Sequence, residues 1–589
     1  MVEARFRWKF PEAVVLPAGL AIAADRMGIS TRLAGLLSSR GVQTPKDLAA
    51  WFGEPRDGLH DPRLLPDAGR LLERVQLARD RGERVQVFGD FDADGLTGLA
   101  IMTIALRRFG LDVLPYVPSR LDEGHGLSVA ALDAAAAAGA TLIVTVDCGS
   151  TSYPEIAEAN ARGVDVIVTD HHRVPEVMPP AYALVNPHRP DATYPDRRLA
   201  GSGIAFKIAQ LLLAGVPGGA AAALDLADLA TIGTVADVAP IVGENRAIAR
   251  IGLERLRVPR PGVAALLERA KIDPSTIDLD TVSFALAPRL NAAGRMGEAM
   301  EAALLLLADD PAEAGRHADT LEAANVARRD LTRTVVAEAR AMVAASPGAA
   351  ASVVHGPWSV GIVGLAAARL VEDDGRPAVV GAELGDQIRA SCRSDGSLDL
   401  GAALERCGDL FTRFGGHAGA AGFELPADRW EAFRERFMIL AAAAAPADPR
   451  VSISIDLALP AGEVDYDFYR ELARLAPCGP GNSDACVAVL GMTVTRVRAA
   501  NGGHSQLTLR RELDVVDGIA FGRPDIAEVV REGDRLDVVA RLTSRRFGGF
   551  ESLQLDIRDV ATAGSHVEAA TILERSVGSP PIAFAGGAR

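Results

Sequence analysis

The sequence predicts an α/β protein: a parallel-sheet domain, joined by a long helix to a second α/β domain and followed by a small β-barrel. Three observations predict it. Short apolar runs without alternation, VQVFG (85–89), TLIVTV (141–146) and VDVIVT (164–169), are separated by alanine-rich helical stretches such as 97–108 and 128–138. Such strands are buried on both faces, as in a parallel sheet covered by helices. Residues 300–345 keep helical periodicity with few breakers, which reads as one extended connecting helix ending at SPGAA (346–350). From 451 the texture becomes five short strands, VSISIDLAL, VAVLGMTVTRV, SQLTLRR, RLDVVARLT and ESLQLDIRDV, the spacing of a small barrel.

The 589 residues exceed what one core can organise, and at roughly 150 residues per domain about four domains are expected. The expected divisions are a mostly helical segment (1–70), the parallel-sheet domain (71–260), a connecting helical region (261–350), the second α/β domain (351–447), the barrel (448–562) and a loose tail (563–589). Within the second α/β domain, ASVVH and AVVGAE read as strands and FGGHAGAAG (414–422) as a glycine-rich loop. Lys and Arg number 62 against 77 Asp and Glu, a net charge of −15. That argues against coating nucleic acid by bulk charge, though a local basic groove remains open. Five scattered cysteines without CxxC argue against a disulfide framework and a structural zinc site. The N-terminal MVEARFRWKF lacks the apolar core of a secretion signal, and the most apolar run, 208–224, is broken by Pro217 and three glycines. The chain reads as a soluble cytoplasmic protein with no membrane partner.

Ligands in parallel sheets bind outside the carboxyl ends of the strands. Each apolar run ends there in acid. VQVFG runs into DFDADG, with Asp90, Asp92 and Asp94 and a Gly95 that suits a tight turn; TLIVTV runs into Asp147; VDVIVT runs into Asp170, His171 and His172. Asp237, in TIGTVADVAP (231–240), is a fourth candidate. Crowded carboxylates need cations or raised pKa values. Carboxylates with imidazole suit Mn²⁺, or Mg²⁺ with a looser fit. Enough ligands for two ions close together is the pattern of phosphoester hydrolysis.

GDFDADG, VDCG, TDHH and GTVADV resemble the four motifs of the DHH phosphoesterase superfamily. LAPRLNAAGRM (286–296) and GGHAGAAG resemble its DHHA1-type partner domain. NPHRPDATYPDRRLAGSGIAFK (186–207) and SRRFGGFESLQLDIRDV (544–560) narrow the resemblance to the superfamily's bacterial single-stranded-DNA exonucleases, whose barrel is OB-like. The resemblance implies 5′→3′ digestion of single-stranded DNA in recombination and repair. It implies two divalent ions, Mn²⁺ or Mg²⁺, held by Asp92, Asp94, Asp147, His171 and Asp237. Asp90 is placed among the catalytic residues, either ligating or standing behind the ligands, and His172 is the candidate for touching the scissile phosphate. Single-strand-binding protein and a repair helicase are implied as partners by analogy.

Arg120, Arg295, Ser391 and Arg393 fall in family-like motifs, and a 5′ phosphate needs such forked donors and a hydroxyl. The alternative for Arg120 and Arg295 is an interdomain salt bridge. Gly416 and His417 could offer backbone N–H groups to a phosphate. In the barrel, Arg541, Arg545, Arg546, Phe547 and Phe550 combine charge with rings, a mix suited to single strands.

Overall fold

The structure is a computed structural model describing residues 2–566, except 13, 121, 122, 125, 346, 347, 447, 449, 512, 548 and 549. The chain divides into two compact units, residues 55–449 and residues 1–54 together with 450 onward.

The first unit opens on a five-stranded sheet made of β1 (Arg84–Gly89), β2 (Asp112–Tyr116), β3 (Ala140–Val146), β4 (Asp165–Thr169) and β5 (Ala183–Val185). Their order is β2-β1-β3-β4-β5 and every pairing is parallel. The apolar runs form the three central strands, buried on both faces; each buried Val, Leu or Ile side chain contributes about 1.5–3 kcal/mol. Helices α1 (Ala93–Phe109), α2 (Gly201–Leu213) and α3 (Ala227–Ala236) pack together on this sheet. The stretch Gly219–Ala236, long and apolar enough to cross a membrane, is mostly buried in this core.

Two expectations are corrected here. Gly95 is not in a turn: α1 begins at Ala93, with Asp92 as its N-cap and Asp94 in its first turn. Gly95 is needed for space instead, since a Cβ there would lie 2.5 Å from the Asp90 carbonyl oxygen. Nor is 300–345 one helix. Ala299–Leu307 ends before Asp309, and α5 (Pro311–Ala344) begins afresh, with Asp310 as N-cap and Pro311 at a first position that needs no N–H donor. The preceding helix α4 (Ala287–Met296) packs on α5.

The same unit carries a second sheet of β6 (Ser352–Gly356), β7 (Ala378–Leu384), β8 (Gln387–Arg393), β9 (Arg413–Gly416) and β10 (Ala420–Pro426), with α6 (Val360–Asp374) between β6 and β7. Its order is β9-β10-β8-β7-β6, parallel only at β6–β7. The glycine-rich stretch 414–422 is therefore largely a hairpin, not a loop.

In the other unit, β11 (Cys486–Ala500), β12 (His504–Arg511), β13 (Asp514–Ala520), β14 (Arg535–Phe547) and β15 (Phe550–Thr562) close into a barrel in the order β11-β12-β13-β15-β14 and back to β11. VSISIDLAL is not one of the five. It splits into Ser452–Ser454 and Leu457–Leu459, of which the first pairs with Arg7–Lys9 and the second flanks β11. The fifth barrel strand is β13, whose Gly518 lets Ile557 pack against its backbone. The N-terminal segment belongs to this unit: the Asp559 carboxylate accepts hydrogen bonds from the Phe6 amide (2.9 Å) and Trp8 Nε1 (2.8 Å). Residues 567–589, within the expected tail, lie outside the described residues.

A buried ion pair fixes α2 in the first unit. Lys207 Nζ lies 2.9 Å from Glu244 Oε1, both side chains fully buried. Lys207 also donates to the His60 carbonyl, and Glu244 accepts from the His60 amide and the Tyr194 hydroxyl. Glu244→Ala leaves a buried ammonium unpaired and should lower stability by about 3–5 kcal/mol. Pairing Glu244→Leu with Lys207→Met should cost far less. Urea unfolding followed by circular dichroism checks this; an unmoved midpoint for Glu244→Ala would contradict it.

Candidate metal centre

The acidic clusters meet at the carboxyl edge of the parallel sheet. Asp90 follows β1, is buried, and accepts from the Phe91 amide at 2.8 Å. Asp92 caps α1, accepting from the amides of Asp94 and Gly95 at 3.0 Å. Asp94 is buried, and its two oxygens accept from the amides of Gly201 (2.7 Å) and Ser202 (3.0 Å) at the start of α2. A helix N-terminus stabilises a carboxylate there. Asp147 follows β3 with a left-handed φ of 63°, which turns its side chain into the cluster. His171 Nε2 lies 3.0 Å from Asp147 Oδ1 and 3.9 Å from Asp94 Oδ2; His171 Nδ1 lies 3.9 Å from Asp237 Oδ2. Asp237 caps the carboxyl end of α3.

The structure thus brings Asp90, Asp92, Asp94, Asp147, His171, His172 and Asp237 together. Three overlapping trios, Asp147–His171–His172, Asp94–His171–Asp237 and Asp90–Asp92–Asp147, each place one donor atom per residue within 4.8 Å of the others. Asp147 Oδ1 and His171 Nε2 face each other but are otherwise buried without a hydrogen-bond partner. Unsatisfied buried acceptors converging from several strands, all oxygen or imidazole, fit hard divalent cations such as Mn²⁺ and Mg²⁺.

The electrostatics say the same. Burial, then the charges of Asp94, Asp92, Asp90 and Asp170, hold the Asp147 carboxyl well above the usual carboxylate range. Burial, then Asp94 and Asp92, push Asp237 up to about 8. Burial lowers His171. The protein alone cannot keep these groups all charged; cations can.

Three supports carry no assigned role in the sequence. Asp170 ends β4 and accepts from the amides of Ser150, His171 and His172 and from His172 Nδ1 (2.8 Å). Burial opposes its charge, but the His172 hydrogen bond and these amides hold it well below the usual range. In return, the Asp170 hydrogen bond lifts His172 to about 9. Asn291 Oδ1, on α4, accepts from the Ala93 amide at 2.8 Å and so fixes the start of α1 within DFDADG. Glycines give the ligands room: a Cβ on Gly201 would lie 2.7 Å from Asp147 Oδ1, and one on Gly233 would lie 2.5 Å from Asp94 Oδ1. The signal for Asp170 was its place in TDHH. For Gly201 and Gly233 the signal was a glycine inside a helical run.

A cation cluster lies beside the acidic one. The Arg120 guanidinium stacks over Phe91 at 4.9 Å. Arg295 donates to the Gly361 carbonyl and Arg393 to that of Cys392. Burial, then the charges of Arg120, Arg328 and Arg393, push Arg295 down to about 10. Burial lowers Arg120, which also feels Asp90, Asp92 and Arg393, and it lowers Arg393. Among the described residues none of these three arginines has a carboxylate in ion-pair contact, so no interdomain salt bridge accounts for Arg120 or Arg295. Ser391 and Arg393 point from β8 to α6, where a Cβ on Gly364 would meet Ser391 Oγ at 3.4 Å and Arg393 Nη2 at 3.2 Å. Gly416 and His417 are exposed, but the His417 amide is spent on the Ala420 carbonyl (2.8 Å). That amide is not free for a phosphate. In the barrel, Arg541 is paired with Asp484 at 2.9 Å and Arg545 is exposed on β14. Arg546, Phe547 and Phe550 take part in the β14–β15 backbone pairing, but their side chains lie outside the described residues.

A parallel sheet with carboxylates and histidines converging at its edge defines a DHH-type phosphoesterase centre, and the DHH family N-terminal domain matches residues 84–234. The DHHA1 domain matches 346–441, which leaves LAPRLNAAGRM outside it, and the RecJ OB domain matches 455–559. The chain is 36% identical to the single-stranded-DNA-specific exonuclease RecJ of Salmonella typhimurium, covering 89% of this chain and 95% of that protein. It is 32% identical to RecJ of Bacillus subtilis, over 92% of this chain and 69% of that one. Crystal structures of Thermus thermophilus RecJ with Mn²⁺ and with Mg²⁺ superpose with TM-scores of 0.79 and 0.76, at 30% and 29% identity; they cover 95% of this chain and 80% and 79% of theirs. The chain belongs to the RecJ family.

Gly233→Ala crowds Asp94 Oδ1 together with the Ser202 and Thr97 hydroxyls and removes no charge. It should weaken Mn²⁺ binding by roughly ten- to a hundredfold, the usual cost of disturbing a ligand's support. Calorimetric titration of the folded variant measures it, and wild-type affinity would refute the packing argument.

Proposed function

We propose that this RecJ-family protein is a metal-dependent exonuclease that degrades single-stranded DNA 5′→3′ to 5′-mononucleotides by two-metal-ion hydrolysis, in cytoplasmic recombination and repair. The observation that carries the reading is a buried acidic cluster beside half-buried arginines that, among the described residues, have no carboxylate in ion-pair contact, all in one unit. The first accepts cations, and the second accepts an anion.

Asp92, Asp94, Asp147, His171 and Asp237 would hold the ions, with Asp90 beside Asp92 and Asp147. Two bound divalent ions supply Lewis-acid polarisation of the phosphodiester and an activated water near neutral pH. His172 Nδ1 is committed to Asp170, so its Nε2–H faces outward on a ring half exposed to solvent. The Asp170 hydrogen bond raises the pKa of the ring and so favours the protonated form, which can donate to a phosphate oxygen. Arg120, Arg295, Arg393 and the Ser391 hydroxyl would seat the terminal 5′ phosphate, so that the first linkage lies over the ions. The OB-type barrel suits a polymer substrate rather than a dinucleotide. Single-strand-binding protein and a repair helicase remain partners by analogy, checked by co-sedimentation with the full chain.

Digestion of end-labelled single-stranded and duplex DNA with and without Mn²⁺ tests the activity. Labelled 5′-mononucleotide should appear first, from single strands only, and only with metal. Release starting from a 3′ label would overturn the polarity. Asp147→Ala should abolish cleavage while keeping the fold and much of the DNA affinity; near-normal turnover would refute the metal assignment. Hydrogen bonds to charged groups contribute about 1.5–3 kcal/mol. Arg393→Ala should therefore cost roughly ten- to a hundredfold in rate, more on 5′-phosphorylated than on 5′-hydroxyl strands. An unchanged phosphate-to-hydroxyl ratio would remove the anchor.

A further inference from the structure

Two solvent-facing apolar side chains lie close along the chain to residues of the metal centre, one directly after Asp237 and one seven residues before Asn291, and hydrolysis uses neither. Phe284 is 77% exposed. It lies in a π-helical turn, Val282–Leu286, that runs into α4. Such turns are rare and frequent at functional sites. Val238, directly after Asp237, is 67% exposed and holds a φ of 60°, an outlier for a β-branched residue.

The chain on either side of Phe284 ties its segment to the metal centre. Five residues earlier, Leu279 packs with Ile241 and Val235, which bracket Asp237. Seven residues later, Asn291 binds the Ala93 amide of the DFDADG turn, and Arg295 follows one turn on. Phe284 therefore lies between the two segments that supply metal ligands, on the helix that ends at the arginine cluster.

Every device in the cleft described so far engages phosphate. The ions and His172 face the scissile group, and the arginines face the 5′ end; none grips a base. A strand whose phosphate is seated over the carboxylates leaves its bases for other side chains to hold. Every base has a π-face, so an aromatic platform holds a strand without reading its sequence.

We propose that Phe284 stacks on a nucleobase of the bound strand and positions it for cleavage. The proposal rests on reading the site as a single-stranded-DNA nuclease. Its test compares wild type, Phe284→Ala and Phe284→Trp on 5′-phosphorylated oligonucleotides. One series is intact; the other carries a single abasic residue walked through the first positions. On intact strands Phe284→Ala should lose about five- to a hundredfold in kcat/KM, the range for one lost stack, and Phe284→Trp should recover most of it. At one position the abasic residue should cost wild type a similar factor and Phe284→Ala almost nothing more, because both remove the same contact. Wild-type kinetics for Phe284→Ala would overturn the proposal. So would abasic penalties that add in full to that variant at every position. The same oligonucleotides bound in Ca²⁺, followed by fluorescence anisotropy, read the stack without turnover. Absence of cleavage by wild type would then sink the nuclease reading while the binding comparison still decided the role of Phe284.

Discussion

Carboxylates crowded out of water are the constraint around which the first unit is built. Asp90, Asp94, Asp147 and Asp170 are all buried at one sheet edge. Two unit charges 4 Å apart repel by about 4 kcal/mol at an effective dielectric near 20. The fold tolerates this only because each carboxylate is given backbone donors or left aimed at a common point. The α2 amides take Asp94, the amides of the β4 end take Asp170, and the start of α1 takes Asp92. Asp147 Oδ1 receives no such donor, and cations complete the balance.

The arginines invert the same logic. A half-buried guanidinium without a carboxylate loses part of its hydration, which an incoming anion makes good. Arg295 is the clearest case, its protonated form disfavoured by burial and by three neighbouring arginines. Among the described residues Arg120, Arg295 and Arg393 form no ion pair with the carboxylates beside them, which leaves the guanidiniums available to an anion. That also explains how a chain with a net charge of −15 handles a polyanion. The arginines near the carboxylates give a local cationic site that the net charge does not reveal.

The sheet core was legible in the sequence because fully buried parallel strands read as uninterrupted apolar runs. The edge strands were not. β2 ends in LPY and β5 is the three residues ALV, too short or too broken to carry a pattern. β13 escaped notice because Asp517 and Gly518 dilute its strand character, whereas VSISIDLAL alternates well but is claimed by other partners. The long helix read as continuous because periodicity survives across Ala308–Pro311, and only the proline marks the restart. The acidic ligand candidates were legible as motifs at strand ends. Their supports were not: Asn291 reaches the centre from almost 200 residues away in sequence, and Gly201 and Gly233 act by lacking a side chain. The placement of residues 1–54 with the barrel depends on Trp8 and Asp559 meeting across 551 positions, a pairing no local pattern announces.

The central claim is that the carboxylate cluster holds two ions close enough to act on one phosphate. Electron paramagnetic resonance of the Mn²⁺-loaded protein tests it most directly. Two Mn²⁺ per chain, roughly 3.5–4 Å apart as in two-metal sites, should show spin exchange coupling as the second equivalent is added. A spectrum that remains that of one isolated Mn²⁺ per chain at saturation would contradict the account.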